Sequence, residues 1–229
     1  METIAENIFR LRERIFNRAI KNGRNPDEIT LVAVSKNVDI DRIRAAQEAG
    51  ITTFGENYVQ EAIVKVSQVG KGATWHMIGH LQTNKVKNVA PLFSMIHSVD
   101  SIHLAEEISQ RVIKLEKTME VLIQVNIGGE CTKTGVHPEK ASSLLEEICH
   151  LKGIMVKGFM TMPPYFSNPE QVRPFFRKMR ELRDNLVPYF PDSVSLPHLS
   201  MGMSSDFEVA IDEGATILRI GTAIFGARK

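Results

Sequence analysis

A lysine closes the apolar run Leu31-Val32-Ala33-Val34-Ser35-Lys36. A run this short and rich in valine is too brief for a helix and reads as a strand buried on both faces, as in a parallel sheet. An ammonium cannot lie unpaired in such a core. Lys36 must reach solvent, pair with an anion, or serve as an amine nucleophile. Arg219 is set in the same way between Leu218 and Ile220, and strand alternation points it away from both. It either pairs with an acid such as Glu208 or Asp212 or acts as a fixed donor to a bound ligand. Two further stretches carry glycine and hydroxyl residues between a strand and a helix start: Leu199-Ser200-Met201-Gly202-Met203-Ser204-Ser205-Asp206 and Arg219-Ile220-Gly221-Thr222-Ala223-Ile224-Phe225-Gly226. Such loops let the backbone approach an anion. The same residues also suit a bend followed by a helix cap.

An amine, two anion-binding loops and an internal arginine together suit a phosphorylated aldehyde held as a Schiff base. Pyridoxal 5′-phosphate (PLP) meets the three demands: an aldehyde for Lys36, a phosphate for the loops, and a ring nitrogen for Arg219. A lysine barrel of the class I aldolase type remains open as an alternative. Asn57, in Phe54-Gly55-Glu56-Asn57-Tyr58-Val59-Gln60-Glu61, either reaches the ligand or caps a helix. In Trp75-His76-Met77-Ile78-Gly79-His80, His76 reads as a core histidine and His80 as nearer the rim. Lys133, in Glu130-Cys131-Thr132-Lys133-Thr134-Gly135, is a loop lysine that is either solvated or functional.

The elements that must position these residues alternate. An amphipathic helix over 3–21, with Ile4, Ile8, Leu11, Ile15 and Ala19 on one face, stops at Asn22-Gly23. After the first strand, strands are expected over 51–55, 74–79, 93–99, 121–127, 154–162, 195–200 and 216–220. Helices are expected over 38–49, 56–69, 82–90, 101–117, 139–151, 169–187 and 206–212, with Pro174 in a first turn or at a kink. Eight strands alternating with helices, without a linker, predict one α/β domain over 1–229, a (β/α)8 TIM barrel with an extra N-terminal helix. An open doubly wound sheet is the runner-up. In a barrel every site lies at the C-terminal ends of the strands, where Lys36 falls.

Composition bounds the rest. The chain has 229 residues, 43% hydrophobic and 24% charged, with a net charge of +1, so nucleic acid and anionic membranes are not expected partners. Apolar runs are strand-sized, and the N-terminus does not read as a secretory signal. Two cysteines, Cys131 and Cys149, give neither a disulfide framework nor a zinc spacing. A cytoplasmic monomer is expected.

Ala33-Val34-Ser35-Lys36, Phe54-Gly55-Glu56-Asn57-Tyr58, Trp75-His76-Met77-Ile78-Gly79-His80-Leu81-Gln82, Leu199-Ser200-Met201-Gly202-Met203-Ser204 and the 219–226 stretch resemble, in order and across the whole chain, the pyridoxal phosphate homeostasis protein family. The resemblance implies a fold-type III PLP-binding barrel similar to the N-terminal domain of alanine racemase. It implies that Lys36 forms the Schiff base, that Ser200, Gly202, Gly221 and Thr222 hold the phosphate, that Arg219 faces the pyridine nitrogen and that Asn57 lines the site. It also implies that Lys133 assists transfer of PLP, with apo PLP-dependent enzymes as possible recipients. The family is similar to a carrier and regulator of vitamin B6 with no firmly established catalysis. A racemase or related PLP enzyme is the competing expectation. An arginine donates to the ring nitrogen without protonating it, which leaves a poor electron sink. Racemases of this type also draw a second acid/base group from an additional domain, and the sequence stops at Lys229.

Overall fold

The computed structural model describes residues 3–130, 133–190 and 194–227. Eight parallel strands close into a barrel in sequence order: β1 (Thr30–Val34), β2 (Thr53–Glu56), β3 (Thr74–Met77), β4 (Met95–Val99), β5 (Met119–Gln124), β6 (Ile154–Met160), β7 (His198–Ser200) and β8 (Ile217–Ile220). β8 returns to pair with β1, placing Val32 opposite Arg219 and Ala33 opposite Ile220. The open doubly wound sheet is thereby excluded.

Outside the strands lie α1 (Ile4–Lys21), α2 (Ile40–Glu48), α3 (Val59–Val69), α4 (Val86–Val89), α5 (Ile102–Lys114), α6 (Ala141–Cys149), α7 (Arg173–Leu186), α8 (Phe207–Asp212) and α9 (Thr222–Phe225). The Thr3 and Glu6 side chains reciprocally cap α1, which buries Ile8, Leu11, Ile15 and Ala19. The expected helix over 82–90 divides into a 3-10 turn at Thr83–Lys85 and the short α4. Pro174 sits in the first turn of α7, where its missing N–H costs nothing. β7 is half its expected length because regular pairing begins only at His198. No helix among the described residues is long and apolar enough to cross a membrane.

Alternation along the strands makes two cores. Outward residues such as Phe54, Trp75, Ile96, Phe159, Leu218 and Ile220 pack beneath the helices. Inward, a small apolar plug of Val32, Met95, Leu122, Met160 and Ile217 fills the barrel axis. Arg219 and Ile217 therefore share the inner face, while Leu218 and Ile220 face out, as the sequence pattern required.

Candidate functional site

Lys36 leaves the C-terminal end of β1 in a tight turn closed by the Val38 N–H donating to the Ser35 carbonyl, at 2.9 Å. It is half-buried, and its Nζ stands 4.8 Å from the centroid of the Tyr58 ring. Asn57 exits β2 beside it: the register pairs Val34 with Gly55, so two residues on Asn57 falls level with Lys36. Asn57 Oδ1 is buried and has no hydrogen-bond partner among the described residues. Gly79, at the exit of β3, packs directly on Asn57. A Cβ at residue 79 would stand 2.4 Å from the Asn57 carbonyl oxygen and 2.6 Å from its Cα. Only glycine permits that approach.

The exits of β7 and β8 form the neighbouring wall. Ser204 Oγ accepts from the Ala223 N–H at 3.1 Å, joining the loop after β7 to the first turn of α9. Gly221 and Thr222 lie at that turn, and Gly221 abuts Val34, two residues before Lys36. Ser200 and Gly202 sit lower. The Ser200 hydroxyl is buried in the barrel between Arg219 and His97. Gly202 has φ +94°, its carbonyl accepts the Arg219 backbone N–H, and a Cβ there would press on Ala210 Cβ at 2.6 Å. Both residues therefore shape the floor beneath the loops. Asp206, which the sequence offered as a cap for α8, instead accepts the Met203 N–H at 2.6 Å and stiffens the Ser204 loop.

Arg219 is buried and donates to Ser200 Oγ at 2.5 Å and to the Thr161 carbonyl at 2.9 Å. Burial pushes it down to about 10, so it stays protonated at neutral pH. Neither acid that the sequence offered as its partner reaches it: Glu208 pairs with Arg14, and Asp212 with Arg18 and Arg173.

Behind Arg219 runs a polar chain. His97 Nδ1 is 3.0 Å from Ser200 Oγ, and His97 Nε2 is 3.0 Å from His76 Nδ1. Arginine can only donate, so the Ser200 proton is free to go to His97 Nδ1, and His97 Nε2–H to His76 Nδ1. Burial, reinforced by His198, pushes His76 down to about 4. Burial also holds His97 well below the ordinary imidazole range, helped by His76 and Arg219. Both rings are neutral at pH 7. His76 is thus a satisfied core histidine; His80 is exposed beyond β3.

Lys133 lies at the rim after β5, its Nζ 2.7 Å from Glu130 Oε1. Cys131 and Thr132 of the same loop fall outside the described residues. No cluster of potential metal ligands exists among the described residues. Sequence reasoning did not single out Ser204 or His97. Ser204 was hidden in a capping pattern, and His97 reaches Ser200 across 103 positions, which only barrel closure brings together.

Residues 4–229 match the family described as alanine racemase, N-terminal domain. A pyridoxal phosphate homeostasis protein of Aquifex aeolicus is 49% identical over 98% of both chains. One of Pseudomonas aeruginosa is 40% identical over 100% of this chain and 97% of its own. The solved structure of PipY from Synechococcus elongatus with PLP bound superposes with a TM-score of 0.86 at 34% identity, covering 98% of this chain and 100% of that one. With identities of this order over nearly its whole length, the chain belongs to the pyridoxal phosphate homeostasis protein family, built on an alanine racemase N-terminal domain.

Proposed function

We propose that this protein holds PLP on Lys36 and serves intracellular PLP homeostasis as a carrier rather than as a strong catalyst. The carrying observation is one meeting of groups at the barrel mouth. Lys36 leaves β1, the Ser204, Gly221 and Thr222 wall stands on the adjoining loops, and the Arg219 guanidinium lies below. The residues fit the group on a second count: Asn57 Oδ1 is a buried acceptor still lacking a donor. PLP held here would supply an aldehyde to the Lys36 amine and a pyridine ring able to draw electrons.

Each side chain has a task in this reading. Ser204 and the backbone N–H groups at Gly221 and Thr222 hold the phosphate. Gly202 and Ser200 act from beneath, the first by letting β7 close on α8 and the second by fixing Arg219. Arg219 presents N–H donors to the ring nitrogen and keeps its own proton, so the nitrogen stays unprotonated. A ring in that state stabilises carbanions poorly, which favours holding over turnover. The protein is proposed to work in the cytoplasm as a monomer; a light-scattering mass of a dimer would remove the monomer from the account.

The carrier reading is tested by incubating the PLP-loaded protein with L-amino acids and resolving D-isomers on a chiral column. Conversion no faster than with free PLP is the expected result. Turnover on the order of one per second or more would overturn it. Lys133 is proposed to assist hand-over from the rim. Lys133→Ala is expected to slow transfer to an apo PLP-dependent enzyme while leaving PLP on Lys36, and unchanged transfer kinetics would contradict that role.

A further inference from the structure

Lys65 is a buried cation in a place where the barrel needs none. It lies on α3, which packs against the sheet with Val59 and Ala62, and it is 5% exposed. Such an ammonium costs several kcal/mol unless its hydrogens are taken. Three acceptors take them: the Ser35 carbonyl, Glu56 Oε1 at 2.8 Å and Glu61 Oε1 at 2.5 Å. Each acceptor also grips the neighbourhood of Lys36. Glu56 Oε1 accepts the Ser35 hydroxyl at 2.6 Å, and Glu56 immediately precedes Asn57. Glu61 Oε1 accepts the Asn37 backbone N–H at 2.6 Å.

That last bond decides the geometry of the turn. Asn37 has φ +58°, and the turn Ser35–Val38 has Lys36 at its second position and Asn37 at its third. A turn with positive φ only at the third position is of type II, a conformation Asn tolerates and most side chains do not. The peptide joining Lys36 to Asn37 is the middle of this turn, directly beside the Cα from which the Lys36 side chain departs. Glu61 fixes that peptide through its N–H, and Lys65 fixes Glu61 and the Ser35 carbonyl at the turn's start. Stability alone does not call for this arrangement, since apolar replacements of buried ion pairs are often neutral or stabilising.

We propose that Lys65 is a positioning residue for Lys36, aiming the amine into the barrel mouth through Ser35, Glu56 and Glu61. The proposal rests on the reading of Lys36 as the PLP-holding lysine. Two ligands separate aim from shape: PLP, which the amine must reach, and pyridoxine 5′-phosphate, which has the ring and phosphate but no aldehyde. Covalent capture of PLP is followed by stopped-flow absorbance, and pyridoxine 5′-phosphate affinity by titration. Lys65→Met and Glu61→Gln are expected to slow capture about tenfold or more, while pyridoxine 5′-phosphate affinity changes less than about threefold. Glu61 is at the edge of the network, with its side chain 23% exposed, so Glu61→Gln decides the matter if Lys65→Met does not fold. Capture at the wild-type rate, or equal weakening of both ligands, would overturn the proposal. Lys36→Ala keeps the two readings apart: if that variant still captures PLP covalently, it is the assignment of Lys36 that fails.

Discussion

Acidification from pH 7 to pH 4.5 is expected to strip several kcal/mol of folding stability from this protein, and His97→Gln is expected to flatten that loss. In the folded chain His76 titrates at about 4 and His97 also lies well below 6.5, whereas both titrate near 6.5 when unfolded. Between those values the unfolded state binds more protons than the native one. Stability therefore rises with pH through that window: it is fully present above about 6.5 and is lost as pH falls toward 4. A single imidazole moved from 6.5 to about 4 contributes about 3 kcal/mol, at about 1.4 kcal/mol per pH unit. Carboxylates titrate in the same region, so the comparison is differential. Urea unfolding of both proteins across the window should show a slope smaller by about 1.4 kcal/mol per pH unit in His97→Gln. Equal slopes would mean that His97 is not held neutral by its burial against Ser200 and His76.

Gly79→Ala is expected to be the most damaging single methyl group near the barrel mouth. The added Cβ would meet three backbone atoms of Asn57: the oxygen at 2.4 Å, Cα at 2.6 Å and the carbonyl carbon at 2.9 Å. No flexible side-chain tip is available to move aside, so the exit of β2 must shift with Asn57 and Tyr58, and Tyr58 faces Lys36. Overpacking of this kind costs about 2–3 kcal/mol, and PLP retention should fall about tenfold or more through the displaced wall. Gly23→Ala is the control. Gly23 has φ +66° with no described atom within 4 Å of the added carbon, so it should lose about 1 kcal/mol from strain alone and retain PLP normally. Thermal unfolding and PLP titration of the two variants check both halves. A Gly79→Ala protein of wild-type stability and affinity would show that the β2–β3 contact does not set the site.

These two predictions divide what was legible in the sequence from what was not. The barrel was legible because parallel strands buried on both faces read as apolar runs, and because the intervening helices carry a helical apolar period. Arg219 was legible for the same reason: one charge between Leu218 and Ile220 breaks the run and alternation turns it inward. Lengths were less so. β7 and α4 are short because pairing and helical hydrogen bonds, rather than residue type, end them. The roles of Ser200, Ser204 and His97 depend on partners 19 to 103 positions away, such as Ala223 for Ser204 and Ser200 for His97. No local spacing encodes such pairs. Lys65 was not singled out in the sequence, and its burial follows from α3 packing beside β2, where the Ser35 carbonyl and Glu56 meet the ammonium.

The central claim is that one amine, Lys36, takes up PLP. Borohydride reduction of the PLP-loaded protein, followed by proteolysis and mass spectrometry, measures it directly. The account predicts a single stable phosphopyridoxyl adduct on the peptide containing Lys36. An adduct on Lys65, Lys133 or another lysine with Lys36 unmodified would contradict it, as would a loaded protein that yields no adduct at all.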